Sequence, residues 1–335
     1  MTGYIPHHPG TLGWIALAIL AELLVGFTIT RFPNRKIARM GAWLLVVGAV
    51  VGIERLAASE PAGIRMVALI GALLFGMKVI VSVEEQSAGR TRLGAWSWFL
   101  FAIGWPGMRP STFTGVPGPS KARRQEYLKR GGGNLAAGGL LFALAWGIGA
   151  LPQESMALST RVWLATFFLL PALSLIMHFG LFNLLAGVWR LAGADCHPLF
   201  RAPLQSASWT EFWGRRWNLA FSEMTTFAVF RPLRGVTGIR VATVAAFLFS
   251  GLLHELAISV PVQAGFGLPF LYFVLHAIAM QIEGILSLRG QPIDSSAWIG
   301  RLWTLGWLVL PLPILFHRPF LRGCVWPLIG LTDAG

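Results

Sequence analysis

Val241–Val260 reads VATVAAFLFSGLLHELAISV, and its only ionisable side chains are His254 and Glu255. A helix of this length rises about 30 Å, the thickness of a bilayer's hydrocarbon core. Seven more apolar runs of spanning length lie around it, near 11–30, 41–57, 64–83, 134–151, 162–189, 266–286 and 298–316. The fifth span in chain order, 162–189, is long and holds Pro171, which predicts a tilted helix, a kinked one or two half-helices. Two shorter stretches, Ala95–Met108 and Leu219–Phe230, read as interfacial or re-entrant pieces. The expectation is an all-α integral membrane protein: eight transmembrane helices, up to ten at the limit, in a single polytopic domain over residues 1–335. Composition agrees, with 55% hydrophobic residues, 12% charged and a mean hydropathy of +0.64. Soluble domains carry about twice that charge.

The net charge of +13 follows the spans. Of 27 Lys and Arg, 21 fall in or beside alternate connections, above all 84–133 and 190–240. Five fall on the other side, and Lys78 lies inside a span. The positive-inside rule then predicts both termini outside and the basic loops in the cytoplasm. Basic residues that merely alternate with spans do not make the clustered patch nucleic acid needs, so no nucleic-acid partner is expected. The start, MTGYIPHHPG, lacks a positive n-region, so the first helix is expected to be retained. Cys196 and Cys324 fall on opposite predicted faces and imply no disulfide. Gly107–Gly133, rich in Pro and Gly and carrying the Lys121–Arg130 charge run, reads as a flexible linker.

An ionisable group in the middle of a span costs about 2.5–3.5 kcal/mol on insertion scales and is by default a functional residue. For His254 two readings stand: a packing histidine with one hydrogen bond, or a general base in a polar cavity open to the cytosol. Ser250 lies one turn before it, and Glu255 points about 100° away. His254-Glu255-Leu256-Ala257-Ile258 is not HExxH, because Ile258 takes the second ligand position, so no metal site is expected. His276, Met280 and Glu283 share a helix face and either line the same cavity or pair structurally. Ser250, Glu255, His276 and Glu283 are thus the candidate cavity residues. Glu22 and Lys78 are expected to pair or to reach the boundary. Upstream, Phe212-Trp213-Gly214-Arg215-Arg216-Trp217-Asn218 suits an interface anchor, or a site in which arginines bind phosphate and tryptophans pack on acyl or ring surfaces.

FWGRRWN, followed by SGLLHE with His254 36 residues beyond Asn218, resembles the wax synthase branch of the membrane-bound O-acyltransferase superfamily. Val229-Phe230-Arg231-Pro232-Leu233, and Tyr272–His276 leading to Glu283, extend the resemblance over a signature core of 206–283. Gly104–Pro110, GWPGMRP, resembles bacterial members, which implies a bacterial inner membrane. The resemblance implies transfer of an acyl group from acyl-CoA to a lipophilic alcohol, with His254 and Asn218 as the catalytic pair. Acyl-CoA would be a co-substrate, and no cofactor is expected. His254 would deprotonate the alcohol, and Asn218 would orient the thioester or donate to the oxyanion. His254 lies 14 residues beyond Arg240, or ~21 Å along a helix, so a slender arm must bring the thioester inward. Arg215, Arg216, Arg231 and Arg234 would meet the donor's phosphates, beside Trp213 and Trp217. The competing reading is a proton-coupled transporter or flippase relaying protons through His254, Glu255 and Glu283.

Overall fold

A computed structural model describes residues 2–89, 92–114, 121–152 and 156–331. Eight of its helices are long and apolar enough to cross a membrane: α1 Pro9–Ile29, α2 Arg35–Ala57, α3 Ala62–Ser87, α4 Lys121–Gly149, α5 Leu158–Leu191, α6 Ile239–Val262, α7 Leu268–Leu288 and α8 Ala297–Leu315. No strand occurs among the described residues. The chain is an integral, multi-pass, all-α membrane protein.

Every expected span has its helix, and the differences are local. The Gly107–Gly133 stretch is not a linker throughout, since α4 already begins at Lys121. Its residues 115–120 lie outside the described part of the chain. The Lys121–Arg130 run is therefore the polar first third of a spanning helix, where charge and glycine mask the helical pattern. The long fifth span is one continuous run. Pro171 sits inside it and a π-turn over Leu175–Leu181 follows, a change of register partway along the span. Leu219–Phe230 forms part of a short helical rod over 219–237, with a π-turn at Thr226–Phe230.

α3 is the axis of the N-terminal half, packed by α1 and α2 and touched by 95–104, 226–230 and 255–262. Small residues permit these approaches. A Cβ on Gly76 would meet Val46 at 2.6 Å, and one on Gly26 would meet Val79 at 2.4 Å. α4 and α5 close on each other through two glycine pairs seven residues apart. Gly131 and Gly138 receive Leu184 and Ile176, while Gly180 and Gly187 receive Leu135 and Leu128. α6 packs on α7, and α7 on the end of α8. After α8 the chain returns to the core, where Trp326 is 1% exposed and donates to Thr166 Oγ1 at 2.8 Å. Tyr4 donates to the Cys324 carbonyl at 2.7 Å, so both ends of the chain meet on one side. Both cysteines are free and buried.

Lys78 and Glu22 do not pair. Lys78 donates to three backbone carbonyls, whereas neither carboxylate oxygen of Glu22 has a partner among the described residues.

Candidate active site

The FWGRRWN segment is held by α7. Glu283, buried in that helix, accepts hydrogen bonds from Trp209 N at 2.6 Å, Thr210 N at 2.8 Å and Thr210 Oγ1 at 2.6 Å. One turn earlier Thr210 Oγ1 reaches Met280 Sδ at 3.3 Å, and Trp209 Nε1 donates to the His276 carbonyl at 3.1 Å. The His276–Met280–Glu283 face is thus a dock for residues 209–210. His276 itself is fully buried, with Nε2 3.2 Å from the Trp307 carbonyl and its ring against Tyr272 and Trp209. A nitrogen facing a carbonyl carries the proton, so His276 spends its donor between two helices.

From this dock the chain turns through a π-turn over Phe212–Arg216. Trp213 packs among Trp209, Phe247, Phe273 and His276. Trp217 packs between Phe200 and Phe212, beside His178. Arg216 is committed to Glu211, with Nε 2.7 Å from Oε1, and to the Ala202 carbonyl at 3.2 Å. Burial works to raise the Glu211 carboxyl, yet the Ala207 amide and Arg216 hold it below its ordinary range. Asn218 follows in the left-handed region at φ 39°, and its Oδ1 accepts from Phe221 N at 3.2 Å, capping the helix Leu219–Thr225. Asparagine suits both demands, because it tolerates that backbone and offers a capping oxygen. The same bond points the amide's acceptor at the helix and leaves the Nδ2 hydrogens as the free donors.

His254 ends the α-helical part of α6, immediately before a π-turn over Glu255–Ser259. Its Nδ1 lies 2.8 Å from the Ser250 carbonyl and therefore carries the hydrogen, which leaves the lone pair on Nε2. The ring is half-buried against Phe273 and Phe221, with centroids at 4.3 and 5.4 Å. Ser250 Oγ bonds back to Ala246, while Glu255 accepts from Gly267 N at 2.9 Å and Phe270 N at 3.0 Å, capping α7.

On the basic side of the fold lies a cavity of about 1310 Å³. Arg215, Arg216 and Arg231 line it, joined by Arg109, Arg123, Arg130 and Arg201. Glu126, Asp195 and Glu223 are its acids, the first paired with Arg130, the second with Arg190 and the third with Arg109. Burial raises the Glu223 carboxyl against the opposing pull of Arg109, and burial lowers His197. Arg234, Trp213, Trp217, Asn218, Ser250, His254, Glu255, His276 and Glu283 are not among the lining residues. One helical turn joins the cavity to the two polar candidates. Leu219, Ser222 and Glu223 face the cavity, Phe221 meets the His254 ring, and Asn218 caps the turn.

Sequence reasoning misses Arg123 and Arg130, which lie in the expected linker, and Asn134, the first residue of an expected span. Their spacing with Glu126 and Tyr127, three or four residues apart on one polar helix face, was the available signal. It also missed His178, which lies within the Leu175–Leu181 π-turn, stacks on Phe200 at 4.5 Å and has Ser174 Oγ 3.2 Å from Nδ1. Among the described residues no group of three or more His, Cys, Asp or Glu could hold a metal.

The chain is similar to known proteins over part of its length. Over 137 residues the chain is 31% identical to a long-chain-alcohol O-fatty-acyltransferase of Simmondsia chinensis, covering 36% of this chain and 39% of the relative. Over 144 residues it is 30% identical to "Probable long-chain-alcohol O-fatty-acyltransferase 9" of Arabidopsis thaliana, covering 39% and 42%. The match thus spans about two fifths of the length of these plant relatives. Residues 196–275, which hold Trp213, Asn218 and His254 together with part of the cavity wall, match the membrane bound O-acyl transferase family.

Proposed function

We propose that this protein is an acyl-CoA:alcohol O-acyltransferase that esterifies a lipophilic, long-chain alcohol inside the membrane. The observation that carries the reading is the His254 tautomer: Nδ1 is tied to the Ser250 carbonyl, so Nε2 is a base in the middle of a span. The match of residues 196–275 and the likeness to plant long-chain-alcohol O-fatty-acyltransferases support the reaction class. In this reading Nε2 takes the alcohol proton as the oxygen attacks the thioester carbonyl carbon. The Asn218 amide donates to the developing oxyanion. Collapse then breaks the C–S bond, and the thiolate leaves with the proton that His254 held. No acyl-enzyme and no further cofactor are needed. The nucleotide remains in the arginine-lined cavity, and the pantetheine arm passes the Phe221 turn to reach Nε2. Arg215, Arg231 and the newly found Arg201 and Arg123 are the guanidinium groups proposed to meet the phosphates, while Arg216 shapes the loop through Glu211.

The test is direct. Purified protein given labelled oleoyl-CoA and hexadecanol is expected to form the wax ester. His254→Ala should lower turnover by roughly 10²–10⁴, the usual worth of a positioned base, with acyl-CoA binding retained. Near-normal ester formation by that variant would return His254 to a packing role. Glu255 and Glu283 both accept backbone hydrogen bonds, which disfavours the proton-relay reading.

A further inference from the structure

Lys78 is the most deeply buried basic residue among the described residues, at 0% exposed in the middle of α3. An ammonium removed from water costs several kcal/mol unless it is fully hydrogen-bonded. Lys78 Nζ meets that condition with three carbonyl acceptors: Phe101 at 3.1 Å, Trp105 at 2.5 Å and Gly107 at 2.5 Å, with the Phe101 ring 3.8 Å away. Two turns further along α3, buried Glu85 accepts from Ser111 N at 3.2 Å and Ser111 Oγ at 3.4 Å. One cation and one anion of the same helix therefore staple the strap 105–111 at both ends. Gly107 cannot take a side chain without displacing the Trp105 indole, since its Cβ would lie 2.1 Å from Trp105 Nε1.

What the strap holds out is Arg109. Between the staples, Gly107, Met108 and Arg109 line the large cavity. The Arg109 side chain is 60% exposed, and its Nε lies 2.7 Å from Glu223 Oε1, on the helix that Asn218 caps. One carboxylate oxygen leaves several guanidinium donors unused, in a fork that fits a phosphate. The strap lies outside residues 196–275, so the family match assigns it nothing.

We propose that Arg109 contacts a phosphate of the thioester donor and that Lys78 is a positioning residue, setting Arg109 through the carbonyls of Trp105 and Gly107. This inference rests on the acyltransferase reading above for the identity of the donor. It predicts a defect specific to phosphate. Arg109→Ala should raise the KM for oleoyl-CoA about tenfold, the loss expected for one charge-assisted contact, and leave saturated turnover nearly unchanged. The KM for oleoyl-pantetheine, which carries no phosphate, should not move. Lys78→Met should repeat this signature, and Lys78→Met with Arg109→Ala should be no worse than Arg109→Ala alone, because both act through one contact. If Lys78→Met cannot be purified folded, Glu85→Ala, which frees the other staple, must give the same pattern.

Equal effects on both thioesters in Arg109→Ala would overturn the phosphate contact. A fall in turnover with both thioesters in Lys78→Met would make Lys78 a merely structural residue. Calorimetric binding of adenosine 3′,5′-bisphosphate to the same variants needs no turnover. Wild-type protein that binds this nucleotide through Arg109 but forms no ester would sink the acyltransferase reading and leave the strap's role standing.

Discussion

At the scale of the residue, two histidines on neighbouring helices differ in which nitrogen is occupied. His276 gives its Nε2 hydrogen to the Trp307 carbonyl and is walled in by aromatic rings, whereas His254 ties up Nδ1 within its own helix and leaves Nε2 as a base. Asn218 presents a similar division within one amide, whose oxygen caps the Phe221 turn while its NH2 group is left to donate. Alanine at 218 cannot separate the two roles. Losing the cap costs about 0.5–2 kcal/mol, and a left-handed alanine adds about 1–2 kcal/mol. Aspartate separates them, because it keeps the capping oxygen and tolerates φ 39° but has no amide hydrogens. Asn218→Asp should therefore melt within a few degrees of wild type in detergent and yet lose roughly 10²–10³ in ester formation, the worth of an oxyanion donor. Asn218→Ala should lose both stability and turnover. An aspartate variant with wild-type turnover would leave Asn218 as a cap alone. The sequence pointed to Asn218 and His254 as polar residues beside and within apolar segments. It could not reveal the cap or the tautomer, since both are set by atoms a few residues away in a folded backbone.

At the scale of the element, the helices that carry the site are not uniform. π-turns interrupt the chain at Leu175–Leu181, Phe212–Arg216, Thr226–Phe230 and Glu255–Ser259, adjoining or containing His178, Asn218, the cavity face of the short rod, and His254. Such turns leave a residue outside the α-helical register, and they concentrate at functional sites. None was legible in the sequence, because an apolar run has the same length whether or not one residue is extra. The α4–α5 contact was hidden for another reason: its seven-residue glycine spacing is divided between two helices, one of which begins in a charge run. This contact yields a matched pair of substitutions. A Cβ on Gly138 would meet Ile176 Cγ1 at 2.7 Å and the Ala172 carbonyl at 3.1 Å, and a backbone atom cannot give way as a side chain can. The next residue, Gly139, has nothing within 4 Å. Gly138→Ala should destabilise by about 1–3 kcal/mol, the cost of overpacking. Gly139→Ala should be neutral or slightly stabilising, since alanine is the better helix former. Thermal unfolding of both in the same detergent reads the difference, and equal melting temperatures would mean that α4 and α5 do not meet along this line.

At the scale of the whole molecule, eight spans bring both ends of the chain to one side, where Tyr4 bonds the Cys324 carbonyl, and the arginine-lined cavity opens among the connections of the other. This division was the most legible feature of the sequence, because hydrophobic length fixes the spans and the distribution of 21 against 5 basic residues follows their alternation. The cavity was not legible as a volume, because its walls come from 105–112, 123–134, 179–183, 195–202 and 214–231, segments that only the fold assembles. We propose the orientation with the cavity facing the cytosol, where a nucleotide thioester would be supplied, and both termini outside. The protein suits a cysteine test of this orientation as it stands. Cys196 and Cys324 are buried, and burial pushes both thiols up to about 12, so at neutral pH neither holds an appreciable thiolate to react with maleimide. Ala58→Cys, in the exposed connection after α2, and Gln291→Cys, in the exposed connection after α7, then report opposite sides of the membrane. In intact cells a membrane-impermeant maleimide should label Ala58→Cys at once and Gln291→Cys only after permeabilisation. The reverse order would turn the protein over in the membrane and expose the arginine cavity to the outside. Acyl-CoA would then be excluded as its ligand, because a charged nucleotide made in the cytosol could not reach it.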